Sequence, residues 1–179
     1  NLKKSYLKNF NLVIVFPKTS SINLNDFGPW TAKVSIFASF ISTFKFSEED
    51  IKGFLQLDNL MNAMFHTVSR LFGLECKPKI LHSYHPDCKI FSIERNGSNL
   101  GLFIGDYFAR DGKRSGAWCS TLRNQSMING LRVSPIVVNV CNFTKPRQGF
   151  PCLLSYDEAK TLFHEFGHAC LLYTSDAAD

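Results

Sequence analysis

The sequence predicts an α+β fold, mainly helical with a small β-hairpin or sheet, and three observations carry that reading. Apolar residues recur at helical spacing from Leu57 to Phe72, a strand-like run turns at Asn96-Gly97, and a capping sequence opens a further helix at Ser155. Apolar residues three and four apart mark a helix with one buried face, whereas apolar or β-branched runs joined by Asn-Gly mark a hairpin.

Taken in order, residues 1–45 hold short apolar runs such as "LVIVF" but no sustained helical period, and they receive neither an element nor a function. Ser47 with Asp50 makes a capping-box pattern, and Glu48 and Glu49 suit the positive end of a helix, so a helix is expected to start there. Beyond Gly53, the apolar face Leu57, Leu60, Met61, Met64, Phe65, Val68, Leu71 and Phe72 runs to Gly73, a natural stop, and reads as core. In "KIFSIERNGSNLGLFIGDYF" the period changes: residues 90–94 and 100–108 are expected strands flanking the Asn-Gly turn. The run "PIVVNVCNF", residues 135–143, supplies a third strand, and Pro146, Gly149 and Pro151 punctuate the loop after it.

Composition narrows the classes. The 179 residues are 45% hydrophobic and 20% charged, enough for one domain with a sizeable core. A net charge of +5 is spread without any run of like charges, which argues against a nucleic-acid partner. No run of 18 or more apolar residues is present, so neither a membrane span nor a membrane partner is expected. The six cysteines contain no C-x-x-C pair, which reads as free thiols in a reducing, cytoplasmic setting, and no signal peptide is expected at the N-terminus. The chain starts without Met, as a fragment would. Residues 170–179, "CLLYTSDAAD", back-translate to a string like a sequencing adapter, so this tail is expected to be an artefact.

The chemistry is concentrated in "TLFHEFGHAC", residues 161–170. Ser155 and Glu158 form a second capping box, which puts the following residues on a helix. Four residues advance a helix by about 400°, so His164 and His168 share a face one turn apart, the spacing two imidazoles need to close on one Zn2+ ion. Glu165 is rotated by about 100° from His164 and is better placed to accept a proton from water than to ligate. Leu162, Phe163, Phe166 and Ala169 are expected to bury. Chance produces an H-E-x-x-H in on the order of one chain in 200, so the helical context gives the motif its weight. His66 reads as part of its helix and His85 as part of a turn, while Asp106, Arg110, Asp111, Lys113 and Arg114 read as structural ion pairing. Glu158 points away from the histidines and is assigned to the cap.

These residues stand in a wider pattern. "LDNLMNAMF", "YHPD", "LGLFIGDYFARDGKRSGAW", "PIVVNVCNFTKP" and "LLSYDEAKTLFHEFGHA" occur together and in order over residues 46–169. This stretch resembles the M3 zinc oligopeptidases, the thimet oligopeptidase and peptidyl-dipeptidase family, and is most similar to the peptidyl-dipeptidase branch. The resemblance implies part of a neurolysin-like zincin catalytic domain, with His164 and His168 as zinc ligands and Glu165 as general base and proton carrier. It also implies a third ligand, a glutamate on a helix downstream, and substrate-holding His and Tyr residues farther along. The division expected is therefore an unassigned segment 1–45, a partial peptidase domain 46–169 and the tail 170–179. The expected activity is that of a monomeric zinc peptidase on short peptide substrates, releasing dipeptides or cutting internally, with this stretch alone inactive. The alternative is a non-enzymatic short relative that binds peptides or partners.

Overall fold

The apolar stripe does fold as one helix. A computed structural model describes residues 52–174 and places α1 at Leu57–Phe72. Leu57, Leu60, Met61, Met64 and Val68 are buried along it, at the spacing read from the sequence. Gly73 ends it with φ 65°, its N–H donating to the Ser69 carbonyl at 3.0 Å, a left-handed geometry that a Cβ would penalise. Gln56 is extended, so α1 begins just before Leu57; the helix start expected at Ser47 lies outside the described residues.

The next elements are β1 (Glu75–Lys79), β2 (Lys89–Arg95), β3 (Ser98–Phe108), β4 (Trp118–Arg123), β5 (Ser126–Ile128), β6 (Leu131–Val133), β7 (Ile136–Phe143) and α2 (Tyr156–Thr174). Five strands form one sheet in the order β1-β2-β3-β7-β4, with β5-β6 a separate hairpin. β3 and β7 run parallel, and the other neighbours in the sheet are antiparallel. The expectation of a mainly helical chain is thus corrected: among the described residues two helices accompany seven strands, and the sheet is the largest element. The reason lies at the edges. β1 (ECKPK), β4 (WCSTLR) and β6 (LRV) are largely exposed, so neither of their faces imposes the apolar alternation by which a strand is legible.

The expected hairpin is β2-β3, and Asn96 (φ 50°) and Gly97 (φ 77°) carry the two consecutive positive φ values of a type I′ turn. Asn129 (φ 51°) and Gly130 (φ 76°) repeat this between β5 and β6, in a second Asn-Gly that sequence analysis passed over.

Both helices pack on one sheet face, α1 against β1 and α2 against β7, β4 and β3. Phe166 of α2 meets Phe65 of α1 at 5.5 Å and Phe103 of β3 at 5.0 Å, while Phe65 meets Phe91 of β2 at 4.8 Å. All three contacts are edge-to-face, the arrangement aromatic quadrupoles favour. The helix starts are tied together by backbone bonds: Leu57 N–H donates to the Cys152 carbonyl at 2.9 Å, and Leu154 N–H to the Leu55 carbonyl at 2.8 Å. On the other sheet face, Ile90, Ile104, Val138 and Val140 form a smaller apolar cluster.

One buried charge organises the loop that leads into β4. Asp106 is 2% exposed and accepts two hydrogen bonds from Arg110 at 2.6 and 2.8 Å, one from Tyr84 at 2.8 Å and one from Lys113 at 3.0 Å. Lys113 also donates to the carbonyls of Phe108 and Cys141, and Asn142 donates to those of Arg114 and Gly116. Structural ion pairing is therefore what Asp106, Arg110 and Lys113 do here. Asp111 and Arg114 are exposed.

Gly101 allows the close approach of β3 to the turn before β7. A Cβ there would stand 2.6 Å from the Pro135 carbonyl oxygen and 3.0 Å from the Tyr173 ring. That carbonyl accepts from Leu102 N–H, so it has little freedom to move. Gly101→Ala is expected to cost about 1–3 kcal/mol, as overpacking does, and a urea midpoint would check it.

Candidate metal centre

The predicted capping box forms in full: Ser155 N–H donates to a Glu158 carboxylate oxygen at 2.7 Å, and Glu158 N–H to Ser155 Oγ at 3.1 Å. With its first turn so fixed, α2 turns Leu162, Phe166 and Ala169 into the core, while Phe163 is half-buried. Tyr173 is buried too, and its hydroxyl donates to the Leu102 carbonyl of β3 at 2.7 Å, which anchors the other end of the helix.

The opposite face carries His164 and His168, both exposed. Their Nε2 atoms converge to 3.0 Å, with ring planes crossed at 86°. Two nitrogens that share a tetrahedral zinc ion at about 2.0–2.1 Å each stand about 3.3 Å apart, so the pair is within a few tenths of an ångström of the separation a shared cation requires. Among the described residues no group of three or more His, Cys, Asp or Glu side chains that could hold a metal is found.

Glu165, the next residue and about 100° round the helix from His164, is 9% exposed. Cys119 of β4 and Cys141 of β7 are free thiols; burial first, and then the negative charge of Glu165, pushes both up to about 12. They stay protonated at neutral pH, which removes them as nucleophiles. Among the described residues β4 is the outer strand of the sheet on this side, and it packs against the helix that bears the histidines.

Sequence analysis missed two buried polar side chains of the sheet. Asn139 of β7 is fully buried, and among the described residues neither atom of its amide has a hydrogen-bond partner; the same holds for the Tyr107 hydroxyl. The signal was available: an Asn at an inward position of the run "PIVVNVCNF" breaks an otherwise apolar strand. Of the other histidines, His66 is exposed on α1 and His85 lies in a turn where its Nδ1 accepts from Asp87 N–H at 3.2 Å, as read from the sequence.

Comparison with known proteins shows what the chain is similar to. The family model described as Peptidase family M3 matches residues 23–177, beyond the 46–169 stretch at both ends. Dipeptidyl carboxypeptidase of Escherichia coli strain K12 is 41% identical over 128 residues, 70% of this chain and 18% of that protein. Oligopeptidase A of the same strain is 34% identical over 128 residues, 70% of this chain and 19% of that protein. Thimet-like oligopeptidase of Dictyostelium discoideum is 32% identical over 124 residues, 66% of this chain and 18% of that protein. The chain thus spans under a fifth of the length of these curated relatives. With the family model covering most of its length, the chain belongs to peptidase family M3.

Proposed function

We propose that the protein carrying this chain is a zinc-dependent peptidase that hydrolyses short peptides, either releasing dipeptides or cutting internally. The observation that carries the reading is the 3.0 Å convergence of the His164 and His168 Nε2 atoms on a helix that also carries Glu165 between them in sequence. The names of the similar proteins, a dipeptidyl carboxypeptidase and oligopeptidases, support it. His164 and His168 are two protein ligands of the metal, and a third comes from outside the described residues. Bound there, zinc supplies Lewis acidity, which polarises a peptide carbonyl and makes water easier to deprotonate.

This chain's own residues supply the rest. Glu165 accepts the proton of the attacking water on a carboxylate oxygen and hands it to the leaving amine, a role that suits a carboxylate shielded from bulk solvent. The edge of β4 that no described strand pairs offers backbone N–H and C=O groups to an extended peptide, which fixes the scissile bond beside α2.

The test is to replace both imidazoles, His164→Ala and His168→Ala, in the complete natural protein. Zinc content and cleavage of a quenched short peptide are then measured. Loss of tight zinc together with loss of cleavage is expected, and undiminished cleavage by the double variant rules the reading out. Mass spectrometry of the wild-type products separates dipeptide release from internal cutting.

A further inference from the structure

Asn129 and Gly130 make the turn of the β5-β6 hairpin, and the only other Asn-Gly of the sequence, Asn96-Gly97, makes the turn between β2 and β3. Both turns are exposed, and both asparagines hold the left-handed backbone of a type I′ turn, φ 51° at Asn129 and φ 50° at Asn96. What differs is the support. β2 lies between β1 and β3, and β3 between β2 and β7, so the Asn96 turn closes two strands that are each paired on both sides. β5 and β6 are three residues each and form a two-stranded sheet of their own. Ile128 and Leu131, the pair that flanks the turn, are 56% and 74% exposed, so little burial holds these strands together. A two-stranded hairpin with no apolar face packed on a neighbour is marginal in water, and such a segment opens at small cost.

Asparagine before glycine carries a reaction within the chain itself. The backbone nitrogen of the glycine attacks the asparagine side-chain carbonyl carbon, and the absence of a Cβ leaves that approach unhindered. The attack needs a backbone geometry that the closed I′ turn does not hold, so it proceeds from the open hairpin. We propose that Asn129 is a site of spontaneous deamidation in the folded protein, while Asn96, in the same dipeptide, is protected by its sheet. A bond forms between the Gly130 nitrogen and Asn129 Cγ, and the side-chain amide nitrogen leaves as ammonia, carrying the proton that the Gly130 N–H gives up. Water then opens the five-membered imide at either carbonyl, which yields aspartate or isoaspartate without oxidation or reduction. Isoaspartate routes the main chain through Asn129 Cβ and Cγ, which lengthens the turn and takes Ile128 and Leu131 out of register. The product therefore unties the hairpin that joins β4 to β7.

The experiment ages the complete natural protein in mildly alkaline buffer, beside a sample kept unfolded in urea, and follows tryptic peptides of both by liquid chromatography and mass spectrometry. Cleavage after Arg95, Arg110, Arg123 and Arg132 puts Asn96 in peptide 96–110 and Asn129 in peptide 124–132. In the folded sample peptide 124–132 is expected to convert to its two acid forms about tenfold faster than peptide 96–110, or more. In urea the two peptides should convert at similar rates, because the sheet that distinguishes them is gone. Asn129→Gly keeps a residue the I′ turn accepts and is expected to abolish conversion of 124–132, which assigns the change to Asn129 and not to Asn124. Conversion of 124–132 no faster than that of 96–110 in the folded protein overturns the proposal. So does a folded 124–132 that stays intact while the urea sample converts, and so does conversion that persists in Asn129→Gly.

Discussion

Replacing Glu165 with Gln in the complete natural protein is expected to lower kcat for a short peptide by about 10²–10⁴-fold, the range spanned by general acid–base catalysis, while bound zinc stays at the wild-type level. Gln matches the carboxylate in size, so a position that is 9% exposed accommodates it. What it cannot do is accept a proton at neutral pH. His164 and His168 are exposed and contact each other, so the substitution leaves both imidazoles in place. Zinc content and kcat measured on one preparation separate the two roles. Unchanged kcat would remove Glu165 from the chemistry, and lost zinc would make it a ligand.

The second large effect concerns stability. Asp106→Ala is expected to cost about 3–5 kcal/mol at neutral pH, because it leaves a buried cation without its counter-charge. The Lys113 side chain is 8% exposed and would keep only backbone carbonyls as acceptors. Arg110 would lose both bonds of its fork. Burial alone would raise the Asp106 carboxyl, but hydrogen bonds from Arg110, Tyr84 and Lys113 outweigh it and hold the group at about 2, below its ordinary value of 3.8. A depressed folded-state value stabilises the fold above the unfolded value, and that contribution fades as pH falls through the folded one. Wild-type stability should therefore drop by about 2 kcal/mol between pH 4 and pH 2 from this group alone. Urea midpoints across that range check both statements: Asp106→Asn should flatten the acid limb, and equal midpoints for wild type and Asp106→Ala at pH 7 would contradict the assignment.

The same loop shows what the sequence left open. Charges at 106, 110 and 113 read as ion pairing, yet nothing local said that Tyr84, in the turn before β2, would close the ring on Asp106. By itself the sequence determined the elements whose signals lie within a few residues: the apolar stripe of α1 and its Gly73 stop, the Asn96-Gly97 turn, the β-branched run of β7, and the Ser155–Glu158 cap that sets the phase of α2. That phase fixes His164 and His168 on one face and Glu165 on another, because helical periodicity is a property of adjacent backbone hydrogen bonds. Only the tertiary structure decided that β7 inserts between β3 and β4, that exposed polar segments become edge strands, and that Asn139 and Tyr107 are fully buried. Those outcomes depend on contacts between residues distant in sequence, whose energies come from burial against a partner face and leave no periodic trace in either segment alone.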